Sequence, residues 1–97
     1  MALLLFEIWD CPDSESFGFQ QVSRENDEML GRMEPNRVLI ARFHAASDFE
    51  AFQKNNDWHG FGPWTPEPGW DERFFTEAEA AEQATYLDER PPNPSAS

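Results

Sequence analysis

Apolar and polar positions first fall into register at Leu3–Trp9, where Leu4, Phe6 and Ile8 share one side of an extended chain and Leu3, Leu5, Glu7 and Trp9 the other. Apolar residues on both sides predict a strand covered on both faces, with Glu7 as the exception. Asp10-Cys11-Pro12-Asp13 then stops it with turn chemistry, and Asp10–Gln21, which holds Phe17-Gly18-Phe19, is expected as loop. Arg24–Met33 is expected as a helix. Ser23 offers a capping hydroxyl, Glu25 places a negative charge in the first turn, and Val22, Met29, Leu30 and Met33 lie on one stripe. Glu34-Pro35-Asn36 ends it. Arg37–Ala45 is the clearest strand, with Leu39, Ala41, Phe43 and Ala45 alternating with Val38, Ile40, Arg42 and His44. Strand, helix and strand in that succession predict a right-handed parallel pair.

Ser47-Asp48-Phe49-Glu50 has the spacing of a capping box, and opens a helix expected from Asp48 to about Asn56 with Phe49 and Phe52 turned to the core. The stretch Asn56–Trp70 is expected as a shaped loop, since Gly60, Gly62, Pro63, Pro66, Pro68 and Gly69 bar a helix from running through it. Its Trp58, Phe61, Trp64 and Trp70 carry too much apolar area to be left in water. The segment is either a lid over the core or an aromatic surface offered to something else. Arg73-Phe74-Phe75 reads as a short third strand or as the exit from that loop. Thr76-Glu77-Ala78-Glu79 is a second capping box, opening a helix from Glu77 to about Glu89. Ala80, Ala84 and Leu87 are expected on its inner stripe, with Glu79, Glu82, Gln83 and Tyr86 outside and Arg90 at its end. Pro91–Ser97 is expected to be a disordered tail.

These elements sum to an α/β (α+β) fold, β-α-β-α-(β)-α. It is a small two-layer sandwich of two or three strands with helices on one or both faces, and a reduced ferredoxin-like arrangement is one such solution. Residues 1–90 are expected to form a single domain. A chain of 97 residues buries roughly two-thirds of its unfolded surface, enough for one modest core. Four Trp and nine Phe mark a chain that folds despite its charge. A sheet this narrow has open edges, and pairing into a homodimer is one way to cover them.

The charge is lopsided: nineteen Asp and Glu against seven Lys and Arg, a formal −12. That excludes direct binding to nucleic acid or to an anionic membrane surface, and it permits a basic partner protein. Colloidal solubility is the plainer use of the same charge. Cys11 is the single cysteine, so no internal disulfide forms, as suits a reducing compartment. The N-terminal apolar run lacks a basic flank and meets Glu7 and Asp10 at once, unlike a signal peptide or a membrane span. A soluble cytoplasmic protein is the expectation.

Two polar groupings could carry chemistry. Glu7, Arg42 and His44 interrupt otherwise apolar strands. With their faces aligned they would set an ion pair beside a histidine, a start toward a general base or simply a salt bridge at the edge of the core. His59 with Asp57 could act as an acid–base pair, yet two histidines and one cysteine are too few for a zinc site, and neither metal nor cofactor is expected. Cys11 sits between Asp10 and Asp13, whose charge opposes the thiolate a nucleophile needs. Phosphate-binding glycine loops and hydrolase triads are not found in the sequence. The candidate partner-binding residues are therefore Trp58, His59, Phe61, Trp64 and Trp70, rimmed by Asp57, Glu67, Asp71 and Glu72. The expected function is a small acidic, non-catalytic interaction module (an accessory subunit, adaptor or inhibitor) that docks a basic or apolar partner surface through residues 56–70. The alternative is a small-molecule binder or small enzyme, with a pocket between sheet and loop and His44 or His59 as its titrating group.

Overall fold

Strand β1 (Leu4–Cys11) is buried along nearly its whole length because it is the middle strand of the sheet. In the computed structural model, which describes residues 2–91, β2 (Ser16–Gln21) and β3 (Val38–Ala45) flank it, both antiparallel to it. Helices α1 (Arg24–Met33), α2 (Asp48–His59) and α3 (Glu77–Glu89) complete a β-β-α-β-α-α order. The result is a small α+β fold with helices on both faces of the sheet. No helix among the described residues is long and apolar enough to cross a membrane. The tail expected at Pro91–Ser97 lies, beyond Pro91, outside the described residues.

The expected parallel pairing of the first and last strands is corrected by a hairpin. Ser14 N–H reaches Cys11 O and Glu15 N–H reaches Pro12 O, with Glu15 in the left-handed region at φ 54°, so the chain reverses straight into β2. Phe17-Gly18-Phe19, expected as loop, is the middle of that strand. Since β2 and β3 both oppose β1, they run in the same direction with β1 inserted between them. The parallel strand–helix–strand unit therefore exists, but as β2-α1-β3, split by the strand it was expected to begin with.

Leu4 and Phe6 on one face of β1 join Ala2, Ala45, Ala51 and Phe75 in the larger core. Phe19, Phe6 and Phe43, one from each strand, stack across that face at centroid distances of 5.6 and 5.9 Å. Leu5 on the other face packs with Val22, Tyr86 and Leu87. The ladder between β1 and β3 slips between Ile8 and Trp9, leaving Ile40 without a cross-strand partner.

Helix α3 corrects the expected stripe. Gln83 and Tyr86 are buried and Ala84 is exposed. Gln83 lies where β2 has ended, accepting from Leu5 N–H (2.7 Å) and donating to Leu5 O (3.0 Å) and Val22 O (2.9 Å). An amide looks polar in a helical stripe, but it matches an open strand end better than any apolar group.

Candidate functional site

Helix α2 is capped as its sequence indicates, with one variation. Ser47 Oγ accepts from Glu50 N–H (3.1 Å), while the Glu50 carboxylate takes the N–H of Ala46 rather than that of Ser47. The helix runs three residues past its expected end, to His59, so Trp58 and His59 belong to its last turn and not to the loop. Gly60, at φ 76°, closes it, and the N–H of Phe61 returns to Asn56 O (2.9 Å). Gln53 then holds the loop back against the helix, accepting from Trp64 N–H (2.9 Å) and donating to Asp57 Oδ1 (2.9 Å). At the far end Ser47 Oγ donates to Glu72 (2.7 Å), and Ser47 bridges to Phe74.

This geometry divides the aromatic residues into two groups. Trp64 packs on Phe52 (4.8 Å) and Phe49 (5.4 Å), with Trp70 edge-on to Trp64 (5.3 Å). Phe52 in turn meets Phe19 of the sheet (5.8 Å), so this group is an outward extension of the core. Phe49 and Phe52, expected to face the core directly, serve instead as the layer between sheet and loop, and the fully buried residue of α2 is Ala51. The second group faces outward. His59 stacks on Phe61 (4.7 Å, 9° between planes) and meets Trp58 and Phe17 edge-on, each at 4.9 Å. Trp58 is 48 % exposed, Phe17 56 % and Phe61 68 %. Four rings thus form one open patch, and Phe17 enters it from β2.

The polar grouping around Glu7 is inside the fold. Glu7 is fully buried and paired in register with Arg42, whose guanidinium donates to it at 2.5 Å. Arg90, just past the end of α3, donates two further hydrogen bonds to the same carboxylate (2.6 and 3.0 Å) and two to Asp27 of α1 (2.8 and 3.0 Å). Tyr86 OH donates to Asp27 as well. Burial pushes the Glu7 carboxyl up, but the hydrogen bonds from Arg90 and Arg42 outweigh it and hold the group below the usual carboxylate range. Burial, followed by the Asp27 carboxylate, pushes the Tyr86 phenol up to about 12. Both oxygens of Glu7 accept from guanidinium groups, so the arrangement joins β1, β3, α1 and α3 and makes the buried, cation-held carboxylate a poor base.

His44 is placed apart from that network: it pairs with Leu5 in the ladder and is exposed, and its carbonyl oxygen accepts from Lys54 Nζ (2.7 Å). Two surface grooves lie elsewhere. One, of about 310 Å³, runs between the start of α1 and α3 beside Ser23, Glu25, Glu79 and Glu82. The other, of about 330 Å³, follows the outer edge of β2. Neither histidine lines either of them. Cys11 is buried, and burial, with the Glu34 carboxylate next, pushes its thiol up.

Phe17, Gln83, Asp27 and Arg90 are the participants that sequence patterning passed over. Phe17 and Phe19 do alternate with Ser16, Gly18 and Gln20 at strand period, a signal masked by the glycine between them. Comparison of the chain with protein-family models, with curated proteins and with solved structures finds no match.

Proposed function

We propose that this chain is a small acidic, non-catalytic interaction module, an accessory subunit, adaptor or inhibitor, that docks a basic or apolar surface of a protein partner. Phe17, Trp58, His59 and Phe61 form the contact, with Trp64 and Trp70 as the layer that fixes it to the sheet. One observation carries this: three exposed rings, Phe17, Trp58 and Phe61, converge on His59 on a chain of net charge −12, although the same loop half-buries Trp64 against the helix. Rigid aromatic side chains give large contact area for little lost entropy, and the surrounding negative charge favours a cationic partner. The buried lone cysteine fits work in the reducing cytoplasm.

The test is a paired capture. Wild-type chain and a Trp58→Ser/Phe61→Ser variant are immobilised and exposed to extract of the native source. The variant's fold is checked by circular dichroism, since both residues are largely in solvent. A protein held by the wild type and released by the variant is the expected result. The same set of proteins on both surfaces would end the idea.

A further inference from the structure

The outer edge of β2 is an open strand edge set between two helices. Val22 N–H donates to Leu5 O, and in an antiparallel ladder alternate residues then turn their backbone groups to the same neighbour. Gln20, Gly18 and Ser16 therefore face β1, while Phe17, Phe19 and Gln21 turn away from it. Gln21 O is taken by Asn26 Nδ2 (2.8 Å), which leaves the N–H and C=O groups of Phe17 and Phe19 directed outward. The groove beside them is walled by Met29, Leu30 and Met33 of α1 on one side and by Phe52 of α2 on the other. Met29 and Met33 are largely exposed. Asp48 is the one charged residue among those lining the groove.

We infer that this edge takes up a short extended segment of a partner protein, apolar in its middle and carrying Lys or Arg at each end. This rests on the docking function proposed above and adds its mode, strand addition to β2. The added strand bonds to the backbone of Phe17 and Phe19 and sends alternate side chains to the methionine wall and to Phe52. Thioethers adapt to side chains of differing shape, as a peptide groove requires. One end of the segment meets Asp48, and the other meets Glu15 and the Phe17–Trp58 rings, whose faces attract cations. A second copy of this chain fits the slot less well, because each copy brings a net −12 and its own Asp48 and Glu15 to the contact.

The probe is a capped heptapeptide, Arg-Val-Thr-Val-Thr-Val-Arg, with two derivatives N-methylated on alternate residues. Bound peptide is expected to slow hydrogen exchange at the Phe17 and Phe19 amides by roughly tenfold or more, as newly paired strand amides do. One methylation pattern should lose binding and the other keep it, since only alternate N–H groups face β2. Met33→Lys, at an exposed position, should weaken binding without disturbing the fold. Unchanged exchange at Phe17 and Phe19, failure of the peptide to bind, or equal binding of both methylated forms overturns strand addition. Docking through the aromatic patch would survive that result if Trp58→Ser/Phe61→Ser still released a captured protein. Equal binding of a peptide with Glu in place of Arg overturns the cationic assignment. Protection of the two amides that rises with protein concentration alone overturns the inference in favour of self-pairing.

Discussion

Glu7, in the middle of β1, and Arg90, just beyond α3, are joined by two hydrogen bonds of 2.6 and 3.0 Å across a sequence separation of 83 residues. The acid is wholly buried, so its charge is stable only while cations hold it. Arg90→Ala removes the larger part of that hold and also frees Asp27. It should cost about 3 kcal/mol of stability, in the range for breaking a buried pair. Arg42, by contrast, is about half in solvent, and Arg42→Ala should cost less than about 1 kcal/mol because water takes its place. Urea unfolding of the two variants, side by side, measures the difference.

Acid should release the same contact. The Glu7 carboxyl titrates below its ordinary value of 4.5 in the folded protein, so the folded state binds its proton less readily than the unfolded chain does. Its contribution is therefore complete above pH 4.5 and is lost as the pH falls through the lower folded value. Glu79, held near 2 by Arg73 and the backbone of Thr76, adds to the decline over the same window. At the alkaline end the sign reverses. Tyr86 is raised from 10 to about 12, and its contribution is complete below pH 10 and lost on the way to 12. Thermal midpoints between pH 2 and 12 should trace a plateau with a fall on each side, and Tyr86→Phe should flatten the alkaline limb.

Gln83→Leu changes size little and polarity greatly. It would leave Leu5 N–H and Val22 O buried without the partners that Gln83 supplies. A cost of about 2–4 kcal/mol is expected for two such groups, despite the added apolar surface. Equilibrium unfolding decides it, and a stability within about 0.5 kcal/mol of wild type would show that water fills the gap.

Two glycines should respond oppositely to alanine. Gly60 closes α2 at φ 76°, and Gly60→Ala should cost about 1 kcal/mol although nothing lies near the added methyl. A methyl at Gly18 would sit 3.5 Å from Cys11 Sγ and from Leu30, an ordinary contact distance. Gly18→Ala should therefore be neutral or stabilising by about 0.5 kcal/mol, by restricting the unfolded chain. Differential scanning calorimetry of the two single variants separates them.

How far the fold can be read from the chain depends on whether an element is decided locally. Helix α1 matches its expected bounds, Arg24–Met33, because Ser23 and Glu34 carry the start and stop signals themselves. Capping of α3 is equally local, with Thr76 and Glu79 exchanging both hydrogen bonds. Strand β2 is hard to read because a glycine normally weakens a strand, whereas Gly18 sits in the middle of β2 opposite Trp9, held there by the ladder. Without that hairpin a strand–helix–strand succession implies a parallel pair, whereas β3 runs antiparallel to β1. The pairing of Glu7 with Arg42 could be anticipated from two interrupted strand faces. The roles of Arg90 and Gln83 depend on where a helix more than seventy residues away comes to rest, and no local pattern encodes that.

The rung that Gln83 supplies also orders events during synthesis. The Leu5 amide takes its side-chain partner from Gln83, 78 residues further along, while the Glu7 carboxylate takes Arg42 after 35 residues and Arg90 after 83. The hairpin and β3 can therefore pair before α3 emerges, and the arrival of α3 adds the Gln83 rung and the second guanidinium on Glu7.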